Sequence, residues 1–117
     1  MEIEMTDRST RTRVAVNGYG VIGKRVADAV ASQEDMELVG VADVSADWRI
    51  GVASQRGYRL FASVADRVDE MQEAGHAIAG TLDDLLGMTD VIVDCTPKPL
   101  GAKNAETYRR ARTKFVL

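Results

Sequence analysis

The chain has 117 residues, of which 45% are apolar and 28% charged, with a formal net charge of −3. That length makes a single domain large enough to bury a core, and the acidic balance excludes the basic face that nucleic-acid binding needs. No apolar run approaches the roughly 20 residues of a membrane span, and none follows Arg8 and Arg11 to complete a secretory signal.

Residues 1–12 are polar and are expected to form a disordered N-terminal extension, with 13–117 as the domain. The single cysteine rules out an internal disulfide and accords with a reducing cytoplasm.

The first element is the apolar run Val14-Ala15-Val16, read as a strand, followed directly by Asn17-Gly18-Tyr19-Gly20-Val21-Ile22-Gly23. A G-x-G-x-x-G turn between a strand and a helix is the context of a dinucleotide fingerprint. Gly18 serves the tight turn, Gly20 the approach of a pyrophosphate, and Gly23 close packing of helix on strand. Amides at the helix start, Gly20 to Ile22, would face the phosphates with the positive end of the helix dipole behind them.

Val26, Ala27, Ala29 and Val30 recur at helical spacing after the turn. Leu38-Val39-Gly40-Val41-Ala42 then reads as a buried parallel strand ending in Asp43, 20 residues beyond Gly23. A Rossmann unit carries its ribose-binding acid at that distance. Asp43 also has a plain structural reading as a cap for the next segment, where Ser45 competes with it.

Further along, Ser45 is expected to cap a helix through about Gln55, ended by Gly57, and 59–62 to form a short strand. Val64, Val68 and Met71 mark one face of another helix, stopped by Gly75. A brief strand is expected at 77–79, and Thr81 with Asp84 resembles a capping box at the head of a short helix. Residues 90–95 form the clearest strand after the first two, Thr96-Pro97-Lys98-Pro99 breaks it, and 102–112 reads as a helix. Arg109, Arg110, Arg112 and Lys114 stand at the end of that helix, where cations complement the dipole. Residues 114–117 begin a last strand. The expectation is therefore an α/β, Rossmann-type, doubly wound parallel sheet, truncated at its C-terminal end.

The stretch from Val14 to Ala29, VAVNGYGVIGKRVADA, resembles the opening of the archaeal-type phosphorylating glyceraldehyde-3-phosphate dehydrogenases. A second stretch from Ile78 to Asn104, IAGTLDDLLGMTDVIVDCTPKPLGAKN, is similar to another segment of that family. The resemblance implies an NAD(P)-binding part, in an enzyme that oxidises glyceraldehyde 3-phosphate to 1,3-bisphosphoglycerate through a cysteine thiolate and a thioester. It places Gly18, Tyr19, Gly20, Val21, Ile22 and Gly23 at the pyrophosphate turn, and Thr96 and Pro97 on the ribose or nicotinamide side. It also implies that the nucleophile, the catalytic histidine and the catalytic domain are absent from this chain, and that the full-length family forms homo-oligomers.

Two positions depart from the family pattern. Val21 replaces a frequent threonine, removing one phosphate hydrogen bond but leaving the amides. Asp43 stands where many archaeal relatives carry lysine and threonine, and a carboxylate repels a 2′-phosphate, so NAD is favoured over NADP. Arg49 and Arg56 would offset Asp43 only by folding back over the ribose, and otherwise belong to a solvated helix face.

Cys95, at the end of a buried strand with no histidine nearby, reads as a small core thiol. His76, the only histidine, reads as a solvent-exposed loop residue without metal-ligand spacing. Two rival functions remain open at this point: a stand-alone NAD-binding regulatory module, and the N-terminal part of another Rossmann reductase of aspartate-semialdehyde or dihydrodipicolinate type.

Overall fold

The computed structural model describes residues 10–117. Six strands run in the order β1 (Thr12–Asn17), β2 (Met36–Asp43), β3 (Leu60–Ala62), β4 (Ile78–Thr81), β5 (Val91–Asp94) and β6 (Lys114–Val116). The helices are α1 (Val21–Ala31), α2 (Trp48–Gln55), α3 (Val68–Glu73), α4 (Leu82–Leu86) and α5 (Lys98–Arg110). All strand pairs are parallel, in the spatial order β4-β3-β2-β1-β5-β6.

The sheet has a core on each face. Val16, Tyr19, Val41 and Leu60 meet Ala27 of α1, Ile50 and Ala53 of α2, and Met71 of α3 on one side. Ala15, Ala42, Phe61 and Ile92 meet Leu82, Leu85 and Leu86 of α4 and Tyr108 of α5 on the other. Burial on both faces explains why β1 and the end of β2 read as continuous apolar runs rather than alternating ones.

From β1 the chain winds outward through β2, β3 and β4, then returns to the far side of β1 for β5 and β6. The strand order thus reverses between β1 and β5, and a crevice opens outside their carboxyl ends at that switch point. The Rossmann-type reading of the sheet is confirmed.

Several boundaries differ from the sequence reading. Thr12, expected in the disordered extension, is the first residue of β1 and pairs with Met36; the expectation for 1–9 lies outside the described residues. The cap of α2 is Asp47, whose side chain accepts from the Arg49 amide, while the Ser45 hydroxyl accepts from the Asp47 amide. The edge strand β4 runs from Ile78 to Thr81 rather than over 77–79. Val64 is exposed and caps a short 3-10 turn, so only Val68 and Met71 turn inward from that segment.

Helix α5 begins at Lys98, four residues before the expected start. Pro97 at the cap and Pro99 in the first turn lack amides that would have no intrahelical partner there, so they open the helix instead of delaying it. The capping box at Thr81 and Asp84 is formed as expected.

Candidate functional site

The turn between β1 and α1 is built by what its glycines lack. Gly18 has a φ of +95°, and a Cβ there would stand 2.9 Å from the Cys95 carbonyl carbon and the Thr96 nitrogen. A Cβ on Gly23 would stand 1.8 Å from the Gly18 carbonyl oxygen. Both positions are thus dictated by the protein's own backbone.

Gly20 is different. It caps α1 in extended geometry (φ −82°), and no atom lies within 4 Å of where its Cβ would be. Helix α1 has no side-chain cap and no acidic residue in its first turn, and Val21 and Ile22 are each 66% exposed. Its first amides are left open to a ligand at the positive end of the helix.

Tyr19 borders this space but is almost wholly buried. The ring is buried in the core between β1, α1 and α2, and its hydroxyl is buried near the Arg56 guanidinium without reaching hydrogen-bond geometry. Burial, more than any neighbouring charge, pushes the Tyr19 phenol up. Its backbone amide is also spent, donating to Asp43 Oδ2 over 2.6 Å.

Asp43 holds the end of β2 against the glycine turn. Besides Tyr19, its carboxylate accepts from the Val44 amide at 2.7 Å and the Ser45 amide at 2.9 Å, both on Oδ1. Arg49 pairs with Asp47 at 2.9 Å, and Arg56 with Asp28 at 3.6 Å, so neither folds over Asp43.

Across the switch point, Asn17, Gly18, Asp43, Val44, Ser63, Val64, Cys95, Thr96, Pro97, Leu100 and Asn104 line a cleft of about 150 Å³. A neighbouring cleft of about 230 Å³ lies between the amino ends of α1 and α2, lined by Gly20, Val21, Lys24, Trp48 and Arg49 among others. Gly18, Asp43, Thr96 and Pro97 therefore converge on one crevice, with Tyr19, Gly20 and Val21 at its neighbour. Ile22 stands exposed at the head of α1, and Gly23 packs beneath the turn.

Beneath the first cleft lies a polar network that the sequence reading did not single out. Asp94, only 7% exposed, accepts from the Thr96 amide at 2.9 Å and the Thr96 hydroxyl on Oδ1. Its Oδ2 accepts from the Asn104 amide group at 3.0 Å and the Tyr108 hydroxyl at 2.5 Å. The Tyr108 oxygen accepts from Asn17 Nδ2 at 2.9 Å, and Asn17 Oδ1 accepts from the Ser63 hydroxyl at 2.6 Å. Burial works against the charge on Asp94, but these donors outweigh it and hold the carboxyl below its ordinary value. The one local clue was spacing: Asp94 follows Ile92 by two residues, so both point to the same buried face of β5.

Cys95 is half-buried beside the turn, its Cβ 3.5 Å from the position of a Gly23 Cβ. Burial, and then the charge of Asp94, push its thiol up, the opposite of an activated nucleophile. His76 is half-buried rather than solvent-exposed: its Nε2 stands 3.1 Å from the Ala46 carbonyl oxygen, joining α3's end to the loop after β2. Among the described residues no group of His, Cys, Asp and Glu could hold a metal ion, and no helix is long and apolar enough to cross a membrane.

The model of the family described as dihydrodipicolinate reductase, N-terminus, matches residues 12–117. The chain belongs to that family. The curated relatives that the chain matches are archaeal proteins of the kind the two motifs resemble. The glyceraldehyde-3-phosphate dehydrogenase of Methanothermus fervidus is 44% identical over 103 residues, covering 88% of this chain and 31% of that protein. That of Halobacterium salinarum is 50% identical over 104 residues, covering 89% and 31%. The chain thus spans under a third of the length of these relatives.

Among solved structures, the WlbA dehydrogenase of Bordetella pertussis in complex with NADH and UDP-GlcNAcA is similar in fold, with a TM-score of 0.62 at 24% identity. The match covers 90% of this chain and 27% of that one.

Proposed function

We propose that the chain is the NAD(P)-binding part of a phosphorylating glyceraldehyde-3-phosphate dehydrogenase, an oxidoreductase acting on an aldehyde. The observation that carries this reading is the empty space at Gly20: an uncapped helix start with room for a group that a Cβ would displace. A pyrophosphate is the group that such a cradle suits, being anionic and rich in acceptors for open amides. When bound, the dinucleotide supplies the hydride acceptor.

The chain's own residues bind and orient. The amides of Gly20, Val21 and Ile22 take the phosphates, and Gly18 and Gly23 hold the turn in place. Asp43 takes the adenosine ribose. A carboxylate has about four acceptor positions, and three are filled by backbone amides, so Asp43 has room for one ribose hydroxyl on Oδ2. Its charge favours NAD over NADP. Thr96 and Pro97 flank the other half of the ligand. No residue here is assigned the thiolate chemistry, since Cys95 has a raised thiol and no basic partner. In the longer protein that chemistry falls to other residues, and the site of action is the cytoplasm.

The family model favours a second reading, reduction of a dihydrodipicolinate-type substrate. Identities of 44% and 50% to glyceraldehyde-3-phosphate dehydrogenases weigh against it. Two assays on the purified chain test the proposal: dinucleotide binding, and turnover of glyceraldehyde 3-phosphate with NAD and phosphate. Binding without turnover is expected. Turnover abolished by Cys95→Ser overturns the assignment of Cys95, and a folded chain that binds no dinucleotide overturns the cofactor reading.

A further inference from the structure

Resting on the dinucleotide reading above, we infer that Asp94 is a positioning residue that sets the direction of every proton on the crevice floor. It thereby makes Thr96 and Asn104 hydrogen-bond acceptors for the hydroxyls of the second, nicotinamide-side ribose.

The direction follows from valence. An ionised carboxylate can only accept, so Tyr108, Thr96 and Asn104 must all donate to Asp94. Tyr108 has one hydroxyl proton and has spent it, so Asn17 must turn its NH₂ towards the Tyr108 oxygen. That leaves Asn17 Oδ1 to accept the Ser63 proton. One buried charge thus orients a chain that runs from the end of β3 across β1 to β5.

No Lys or Arg pairs with Asp94 among the described residues, and neutral donors alone hold it. The consequence lies at the surface of the cleft. Thr96 Oγ1 and Ser63 Oγ have given up their protons inward. Thr96 Oγ1 also accepts from Asn104 Nδ2 at 3.5 Å and keeps one lone pair, and Asn104 Oδ1 takes no hydrogen bond from any described residue. Ser63, Thr96 and Asn104 all line the cleft. Such a floor accepts from hydroxyl groups and offers no proton to an anion.

The sheet order says which hydroxyls. Asp43 ends β2, the glycine turn follows β1, and Thr96 follows β5, in that spatial sequence. A ligand with one ribose at Asp43 and its pyrophosphate at Gly20 extends its other ribose over Thr96 and Asn104.

The test compares NAD with ADP, which lacks the second ribose, by calorimetric titration of the chain and its variants. Asp94→Asn keeps an oxygen for Thr96 but puts an NH₂ where Oδ2 accepted from Asn104, so the Asn104 amide must turn its oxygen inward and its NH₂ towards the cleft. It is expected to weaken NAD by about tenfold while changing ADP by less than about twofold. Thr96→Val should show the same selective loss without touching the buried charge, and Thr96→Ser should restore binding. Tyr108→Phe leaves Asp94 ionised, so it should lower stability but keep the NAD-to-ADP ratio.

Equal weakening of both ligands by Asp94→Asn means a merely structural role and overturns the inference, as does an unchanged NAD affinity. If Asp94→Asn does not fold, the Thr96 pair decides alone, with equal losses for NAD and ADP overturning it. A folded wild-type chain that binds neither ligand overturns the underlying cofactor reading instead.

Discussion

The Tyr19 amide donates to Asp43 across 2.6 Å, tying the end of β2 to the middle of the glycine turn. Asp43 is therefore a staple of the turn as well as the proposed ribose acceptor. Asp43→Ala strands the amides of Tyr19, Val44 and Ser45, and should cost about 1–3 kcal/mol of stability. NAD affinity should fall by more than tenfold, and the NADP-to-NAD affinity ratio should rise as the repulsive charge goes. Thermal unfolding and paired titrations read the two effects separately.

The three glycines of the turn should separate into two kinds of variant. Gly23→Ala forces a methyl group into the Gly18 carbonyl, at a cost of about 3 kcal/mol, and should lower the melting temperature by roughly 15 °C. Gly20→Ala, in open space at an ordinary φ, should leave the melting temperature within a few degrees and weaken NAD. Equal melting temperatures for the two variants would contradict the role given to the Gly18–Gly23 contact.

Acid stability should report Asp94. Its carboxyl is held below the ordinary value in the fold, so the folded state binds its proton later than the unfolded chain does. The stabilisation is complete above the unfolded value of about 3.9 and is lost as pH falls through the lower, folded value. Denaturant midpoints taken from pH 6 down to pH 2 should drop in that window, and Asp94→Asn should flatten the drop. A profile unchanged by Asp94→Asn would show that Asp94 is not protected.

Much of this arrangement was legible because the chemistry is local. Strand, glycine turn, helix and Asp43 lie within about 30 consecutive residues. The Gly18–Gly23 contact and the open space at Gly20 both fall within that span, although Gly18 is also held by the distant backbone of Cys95 and Thr96. The resemblance of 14–29 and 78–104 to archaeal glyceraldehyde-3-phosphate dehydrogenases held for the same reason. What escaped depends on competition or distance. Ser45 and Asp47 are both good caps two residues apart, and only the path of the loop selects Asp47. Pro97 and Pro99 look like breakers until one sees that a helix start has no use for their missing amides. Asn17 and Tyr108 are 91 residues apart, and no periodicity announces that β1 and α5 bring them to one carboxylate.

Cys95 should behave as an inert thiol. Its raised pKa and half-burial predict alkylation by iodoacetamide at neutral pH at least several-fold slower than that of a free cysteine peptide. Faster reaction than the peptide would reveal an activated thiolate.

The most direct measurement is calorimetric titration of the purified chain with NAD and then NADP, beside Gly20→Val as control. The account predicts saturable NAD binding, weaker NADP binding, and loss of both in a Gly20→Val chain that remains folded. A folded wild-type chain that binds neither dinucleotide, or a Gly20→Val chain that binds as well as wild type, would contradict it.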